Sequence, residues 1–212
     1  MAHIPDGVLS APVLISGAVL SAGLIAVAVK KLDSEKIPYA AVLAAAFFVS
    51  SLVSVPVGPT SVHLILNALM GILLGWTAIP AILVALLMQS IFFGHGGLLT
   101  LGVNTFNIAV PALIVGAFVR LLLDRRRCAN MFALGCFAGG ISVSMTAAFI
   151  YFNLLLTGTE YQLSGKVILA SFLPLIVVEA IVSGIILSFI VKVSPQLLQS
   201  GTNKSYNQPP KD

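Results

Sequence analysis

The 212-residue chain contains little charge, only two cysteines and one tryptophan. Charged residues make up 8% of it, whereas a soluble domain carries about 25%. Hydrophobic residues make up 58%, and the mean hydropathy is +1.08. This scarcity of charge excludes a soluble globular protein. A membrane-spanning barrel would show alternating polarity in segments of about 10 residues, and the chain has no such pattern. A lipid bilayer is therefore the expected surrounding of this chain.

Motifs that would indicate an enzyme are also missing. The ATP-binding loop G-x-x-x-x-G-K-[ST] is absent, because Ser164–Val167 lacks both the earlier glycine and the hydroxyl after the lysine. Neither H-E-x-x-H of metalloproteases nor G-x-S-x-G of serine hydrolases occurs. Cys128 and Cys136 show no metal-ligand pattern and are interpreted as small packing residues. An enzyme is therefore not expected, and any energy that the protein uses must come from partner proteins or an ion gradient.

Seven apolar runs, each with at most two charged residues, approach or exceed the roughly 20 residues that a helix needs to cross a bilayer. They are Leu9–Val29, Ile37–Val55, Ser61–Trp76, Thr77–Phe93, Asn104–Leu123, Asn130–Leu156 and Val167–Val193. The fold prediction is an all-α integral membrane protein with about seven transmembrane helices in one bundle. This single membrane domain covers residues 1–195, and a polar tail over residues 196–212 is expected to be disordered.

The basic residues predict the orientation of this bundle. Ten of the eleven fall on one side of a seven-span topology, and only Lys166 falls on the other. The ten are Lys30, Lys31, Lys36, Arg120, Arg125, Arg126, Arg127, Lys192, Lys204 and Lys211. Because basic loops stay in the cytoplasm, we expect an outside N-terminus, a cytoplasmic C-terminus and a place in the cell's inner membrane. The charge of +4 thus reflects topology and indicates no nucleic-acid partner.

All three histidines fall on the predicted outer side. His3 is in the N-terminal tail, His63 follows the second run and His95 lies in the loop after the fourth. Taken singly, they are open to simpler interpretations: a solvated tail residue, a hydrogen-bonded helix start and a loop cap. Together with Asp6, Asn104 and Asn107 on the same side, they favour a metal site, because imidazole is the commonest metal ligand.

The glycine-rich stretch "GHGGLLTLGVNTFN" joins the fourth and fifth runs. It could be an ordinary loop with tight turns. Its length, and the return of Asn104 and Asn107 at a helix start, favour a packed, re-entrant element. Non-helical chain at membrane depth requires such burial in protein or a cavity.

The tail "MAHIPDG" narrows the choice of metal. A free amine close to a histidine can chelate an ion through the amine, backbone amides and imidazole. This nitrogen-rich planar geometry suits Ni(II) and Cu(II). Zinc would favour tetrahedral sites, often with thiolate, and calcium or magnesium would need several carboxylates. A late first-row divalent ion fits best.

Three motifs now carry a family resemblance: "HIPDGVLS", "VGPTSVHLILNALMGILLGW" and "FGHGGLLTLGVNTFNIAVPAL". With them the chain resembles the CbiM/NikM family, the metal-binding S component of nickel/cobalt energy-coupling-factor (ECF) transporters. The resemblance covers almost the whole membrane chain. The stretch "GPTSVHLILN" favours the nickel branch of this family.

The resemblance implies a seven-helix capture subunit whose N-terminal tail is inserted into the bundle. It implies metal coordination by the N-terminal amine, His3 and His63, with His95, Asn104 and Asp6 in supporting positions. It also implies Ni(II) as the transported ion, with Co(II) as the alternative, and no further cofactor. The implied partners are a membrane coupling (T) subunit, two ATPase subunits and a small accessory membrane subunit.

The sequence departs from the family at its start, because Ala2 separates Met1 from the first histidine. If Met1 is removed, Ala2 supplies the amine and His3 becomes the second residue, which restores the expected chelate. If Met1 stays, the amine, two amides and His3 could fill a coordination plane, and His63 would be displaced or forced to an axial position. The sequence would be identical if Ala2 were an insertion that is foreign to the natural protein.

Three further features each have two interpretations. The stripe Ala18, Ala22 and Ala26 suits either docking of a coupling subunit or packing inside the bundle. Glu179, in mid-span and far from the outer site, is expected to hydrogen-bond a neighbouring helix or to take part in coupling. The Arg120–Asp124–Arg127 cluster is expected to be a solvated helix end and topological anchor, with contact to the coupling subunit as the alternative.

The alternative overall function is a self-sufficient secondary transporter or channel for divalent transition metals. A secondary transporter would show paired half-sequences, and no internal repeat is found.

Overall fold

The computed structural model describes residues 3–52, 54–57, 60–124 and 130–199. This part of the chain is helical except for loops and one hairpin. The helices are α1 (Ala11–Lys30), α2 (Ile37–Ser50), α3 (Asn67–Leu74), α4 (Ala78–Phe93), α5 (Leu101–Asp124), α6 (Met131–Thr157), α7 (Gln162–Val193) and the short α8 (Gln196–Gln199). The antiparallel strands β1 (Ser54–Val57) and β2 (Thr60–His63) pair with Ser54 opposite His63. Single 3₁₀ turns cover Ser34–Lys36, Gly75–Thr77 and Thr159–Tyr161.

Five helical segments of the described chain are long and apolar enough to cross a bilayer. They are Ala11–Lys30, Asn67–Phe93, Leu101–Leu123, Met131–Thr157 and Thr159–Val193. The prediction of a multi-pass helical membrane protein is confirmed. The first, fifth, sixth and seventh predicted runs correspond to α1, α5, α6 and α7, with ends displaced by a few residues.

Segment 67–93 is two antiparallel helices rather than one. A continuous helix of 27 residues would be about 40 Å long. Yet His63, just before α3, and His95, just after α4, have ring centroids only 5.7 Å apart. The reversal occurs at Gly75, whose φ of +60° favours glycine over residues with a side chain. The predicted boundary between the third and fourth runs therefore lies close to the actual turn.

The second and third predicted helices are shorter than expected. The run Ile37–Val55 is helical only as far as Ser50, and the run Ser61–Trp76 is helical only from Asn67. The described part of the intervening chain contains β1, β2 and a connection at 64–66. The physical reason is local, because proline and β-branched residues in "SVPVGPTSV" disfavour helix while remaining as apolar as helix formers. Hydropathy alone does not register this difference.

Helix α3 lies at the centre of the bundle and is buried along almost its whole length. It runs parallel to α5: Asn67 contacts Ile108, and Gly71 contacts Ala112. At its end, Arg120 donates hydrogen bonds to the carbonyls of Ile72 at 2.8 Å and Gly71 at 2.9 Å.

The expectation of a solvated Arg120 is therefore wrong. Its half-buried guanidinium satisfies carbonyl groups that a helix leaves unpaired at its C-terminus. The side chain of Asp124, and all of Arg127, lie outside the part of the molecule described.

Helix α1 packs mainly through a face beside the predicted alanine stripe, although the Ala18 backbone lies against Gly102 of α5. The buried small residues of α1 are Gly17, Ser21 and Ala28, and Ser21 donates a hydrogen bond of 2.6 Å to the Gly102 carbonyl. Ala18, Ala22 and Ala26 are exposed on this monomer. Packing inside the bundle thus falls mainly to the neighbouring face.

Two ends of the bundle differ in composition. We call the end that carries His3, His63 and His95 the histidine end. The opposite end, which carries Lys30, Lys31 and Lys192, is the basic end. Trp76, at the turn between α3 and α4, lies under the Lys31 ammonium at 4.0 Å. The turn thus lies at the basic end, and the chain returns to the histidine end through α4.

Candidate metal centre

Three imidazole rings from distant parts of the chain meet at the histidine end. His3 comes from the N-terminal tail, His63 from the end of β2 and His95 from the loop after α4. The His3 and His63 ring centroids lie 5.0 Å apart with planes tilted by 36°. The His63 and His95 rings stack at 5.7 Å, nearly parallel. His3 is 4% exposed and His63 3%, so the cluster is recessed rather than open to solvent.

The ring nitrogens of this cluster are largely unpaired. Within the described part of the chain, neither nitrogen of His3 has a hydrogen-bond partner, and Nε2 of His63 has none. Nδ1 of His63 lies 3.0 Å from the Leu64 carbonyl. A carbonyl can only accept, so Nδ1 carries the proton and Nε2 presents a lone pair. Buried polar atoms of this kind call for a ligand or water.

Burial keeps these imidazoles neutral. Burial lowers the pKa of His3 well below its ordinary value, and the nearby imidazoles of His63 and His95 lower it further. Burial lowers the pKa of His63 to about 4, although its bond to the Leu64 carbonyl acts in the opposite direction. The pKa of His95 is also lowered, chiefly by burial. Neutral imidazole is the form that coordinates a metal.

Asn104, at the first turns of α5, holds the tail in place. Its Oδ1 accepts from the Ile4 amide and its Nδ2 donates to the Ile4 carbonyl, both at 3.0 Å. This side chain therefore pairs with the residue next to His3 on both of its backbone groups. The Asn104 side chain thus fixes the backbone next to His3 without contacting the proposed ion itself.

Asp6 anchors the other end of the tail. Its exposed carboxylate accepts from the amide and hydroxyl of Thr100 at 3.0 and 3.1 Å, just before α5 begins. The glycine-rich loop lies directly against this tail. A Cβ at Gly96 would lie 3.2 Å from the Cβ of His3, and one at Gly97 would overlap the Asp6 carboxylate. The loop is packed as expected, and the glycines permit its close approach.

Gln89 belongs to the cluster although the sequence analysis missed it. This fully buried α4 residue adjoins His3 closely enough to act on its pKa, and its carbonyl accepts the His95 amide at 3.2 Å. Its side-chain nitrogen lies 3.4 Å from the Phe47 carbonyl. The available signal was a single amide side chain in the apolar run "AIPAILVALLMQSIFF".

The described side chains do not make a complete metal centre. Among them, no group of three or more His, Cys, Asp or Glu has the spacing to hold an ion. Imidazole nitrogens bind at about 2.0–2.1 Å, so ligating rings that share an ion have centroids roughly 4–6 Å apart. The His3–His63 pair fits this range. Further nitrogens would come from the start of the chain, but Met1 and Ala2 lie outside the described residues.

Two other polar residues noted in the sequence, Asn107 and Glu179, form hydrogen bonds with neighbouring elements. Asn107 accepts a 2.8 Å hydrogen bond from Asn153 on α6 and so joins two helices. Glu179, which was expected to lie far from the site, accepts hydrogen bonds from the amides of Ile65 and Leu66. It is thus only two residues of chain away from His63. The hydrogen bond was expected to reach a neighbouring helix and instead reaches the connection that precedes α3, and the expected distance from the site is wrong.

Comparisons with known proteins agree with this picture of the fold. Residues 3–197 match the family CbiM, described as "cobalt uptake substrate-specific transmembrane region". A putative metal transport protein of Haemophilus influenzae is 40% identical over 96% of this chain and 100% of its own length. The fused nickel transport protein NikMN of Rhodobacter capsulatus is 38% identical over 69% of this chain and 46% of its own. The crystal structure of a truncated transition metal transporter superposes with a TM-score of 0.76 at 26% identity, covering 90% of this chain and 98% of that one.

Proposed function

The chain belongs to the CbiM family of nickel/cobalt transport components, and we propose that it captures Ni(II), with Co(II) as the alternative, at the histidine end. The ion is the transported substrate. The observation that carries this proposal is the buried His3–His63 pair, in which both nitrogens of His3 and Nε2 of His63 have no hydrogen-bond partner among the described residues. An apolar membrane bundle would not retain three unpaired imidazole nitrogens without a ligand, because each unpaired buried group costs free energy.

The proposed ligands are the N-terminal amine of Met1 or Ala2, His3 and Nε2 of His63. Together with a backbone amide they make a nitrogen-rich plane, which favours Ni(II) over Zn(II). His95 stacks on His63 and stabilises its orientation. Asn104 and Asp6 hold the tail against the start of α5.

We place the protein in the inner cell membrane as the S component of an ATP-driven ECF importer, with the histidine end outside. The proposed partners are a coupling (T) subunit, two ATPase subunits and a small accessory membrane subunit. The exposed Ala18–Ala22–Ala26 stripe is the proposed contact to the coupling subunit. The charge bias supports the orientation, since Lys30, Lys31 and Lys192 all lie at the basic end. Nickel uptake by cells that carry this gene alone would favour the self-sufficient transporter instead.

The test is nickel binding to the purified protein in detergent. We expect one Ni(II) per chain by calorimetry, and loss of this binding in His63→Ala. Asn153→Ala, which removes a half-buried amide outside the cluster, serves as the control and should bind as the wild type does. Unchanged affinity in His63→Ala would reject His63 as a ligand.

The second arm of this experiment addresses the amine. Mass spectrometry identifies the mature N-terminus, and a short Gly-Ser extension then removes the amine from its position while both histidines remain. We expect the extension to abolish tight binding and the same extension at the C-terminus to have no effect. Full binding with a blocked N-terminus would exclude the amine as a ligand.

A further inference from the structure

The connection between β2 and α3 has an unusual backbone. Leu66 has a φ of +52°, and among the described residues it alone is a non-glycine with positive φ. A residue with a side chain is strained in this left-handed region, because its Cβ crowds the following carbonyl oxygen. Such a conformation persists only where the surrounding structure enforces it.

Glu179 of α7 makes the contacts that enforce this conformation. Its carboxylate accepts the Ile65 amide in a short hydrogen bond and the Leu66 amide at 3.0 and 3.1 Å from its two oxygens. These donors lie at the start of α3, where a helix leaves N–H groups unpaired. Leu66, in the N-cap position, supplies no side-chain cap of its own. The residue is 1% exposed, so this pairing takes place away from water.

The same connection sets the orientation of His63. Leu64 lies between His63 and the two amides that Glu179 holds, and its carbonyl accepts the proton of His63 Nδ1. That bond leaves Nε2 as the ring's lone pair. The Ser50 hydroxyl also donates to the Leu64 carbonyl, at 3.2 Å. A displacement of residues 64–66 would move this carbonyl away from both donors and free the ring to change tautomer. The contacts form a chain from Glu179 through 65–66 and 64 to His63.

Helix α3 also depends on contacts with other helices at both of its ends. It has eight residues, which is too few to be stable without help from its surroundings. A carboxylate holds its N-terminus and the Arg120 guanidinium holds its C-terminus, as a helix dipole favours. Both charges come from long helices that stay in place, α7 and α5. The position of α3, and of the residue that precedes it, is thus set from outside.

We infer that Glu179 is a positioning residue for metal capture: it holds residues 64–66 so that His63 keeps Nε2 free for the ion. It is not itself a ligand, because its oxygens are occupied by backbone amides. The inference rests on the proposed function, in which His63 binds the metal. One readout is therefore chosen that needs no metal.

The experiment compares Glu179→Gln and Glu179→Asp with a matched control on the same helix. Gln retains one acceptor and opposes the amides with its NH₂ group, whereas Asp retains the carboxylate on a shorter stem. Ser183→Ala is the control, because Ser183 is fully buried one turn further along α7 and its hydroxyl has no partner in the described residues. Thermal unfolding of each metal-free variant in detergent reports on folding.

The metal-free readout is the ¹⁵N spectrum of the histidine rings. In the wild type and in Ser183→Ala we expect the Nδ1-protonated tautomer of His63. In Glu179→Gln we expect a mixture of tautomers. The metal-bound readouts are Ni(II) affinity and the Ni(II) d–d absorption band. We expect affinity to fall about tenfold or more in Glu179→Gln with a shifted band, and Glu179→Asp to recover part of it.

Two results would overturn the inference. One is an unchanged His63 tautomer and unchanged affinity in Glu179→Gln. The other is a weaker affinity that Ser183→Ala shares, with the wild-type band, which would mean a general loss of stability. If Glu179→Gln does not fold, Glu179→Asp decides by the same criteria. If the wild type binds no Ni(II), the proposed function fails, while the tautomer comparison still decides the role of Glu179.

Discussion

Helices α6 and α7 differ from α3 in how they are held. The former have 27 and 32 residues and pack through glycines, with the Gly135 and Gly139 positions against the α7 backbone. Helix α3 has eight residues and depends on charged side chains at both ends. In a bilayer the first kind of contact requires only small residues and close fit. The second kind is polar, buried and costly, and it occurs where the candidate ligand His63 must be placed.

The α6–α7 pair is a scaffold, and the candidate metal site lies in a separate part of the molecule that is attached to it. The α6–α7 pair keeps its shape without reference to the metal. The tail, β2 and α3 are held on that scaffold by a few hydrogen bonds. Except at Glu179 and the other residues that join the two parts, substitutions in one part should therefore leave the other largely intact.

The largest expected effect is that of acid on the site. Burial lowers the pKa of His63 to about 4, so this imidazole remains neutral at pH 5.5, and burial lowers the pKa of His3 well below its ordinary value. We therefore expect protons to compete with the ion mainly at the terminal amine, whose ordinary pKa is about 7.7–8.0, and at the backbone amide that binds the metal. From pH 7.5 to 5.5 we expect affinity for Ni(II) to fall about 10,000-fold, with about two protons released per ion at pH 5.5.

Calorimetry in buffers of different ionisation enthalpy measures this proton count. Release of nearly four protons would mean that both histidines titrate normally, and would contradict the burial argument. The unfolded chain binds protons at an ordinary histidine pKa of about 6.5, so the stability that these histidines contribute also falls as the pH drops below that value. Far-ultraviolet circular dichroism should show the helices unchanged at pH 5.5.

The next effect tests the scaffold. A Cβ at Gly139 would lie 2.6 Å from the Glu179 carbonyl, whereas one at Gly140 would meet only side-chain carbons at 3.7 and 3.8 Å. We expect Gly139→Ala to destabilise the protein by about 1–3 kcal/mol and to lower its thermal midpoint in detergent. Gly140→Ala should be neutral or slightly stabilising, because alanine favours helix. Equal midpoints for the two variants would disprove the close packing of α6 on α7.

The smallest effect concerns the tail. Asn104→Ala removes two 3.0 Å hydrogen bonds to Ile4, each contributing about 0.5–1.5 kcal/mol. We expect roughly tenfold weaker Ni(II) binding with an unchanged thermal midpoint. Asn107→Ala, three residues further along α5, loses a contact to α6 instead and should retain the affinity. Weakened binding in both variants would mean that the tail is not held by Asn104 in particular.

The sequence predicted the scaffold well and the site only in part. Long apolar runs identified α1, α5, α6 and α7, because hydrophobicity adds up along a run whatever its neighbours are. The order of these runs along the sequence also predicted that the three histidines lie on the same side of the membrane. The sequence missed Gln89, misjudged Arg120 as solvated, and located Glu179 far from His63. Each of these depends on which residue from another helix lies opposite, and no local pattern reports that.

The sequence by itself thus determined a multi-pass membrane protein, the side on which its histidines lie and the end at which its bases collect. Only the tertiary structure decided that the tail folds back onto α5, that α3 shortens and turns at Gly75, and that α7 and α5 hold its ends. Transfer into lipid depends on composition, which can be read from the chain. Convergence of imidazoles, amides and charges depends on contacts between residues up to about a hundred positions apart, such as Ile4 and Asn104, and these exist only after folding.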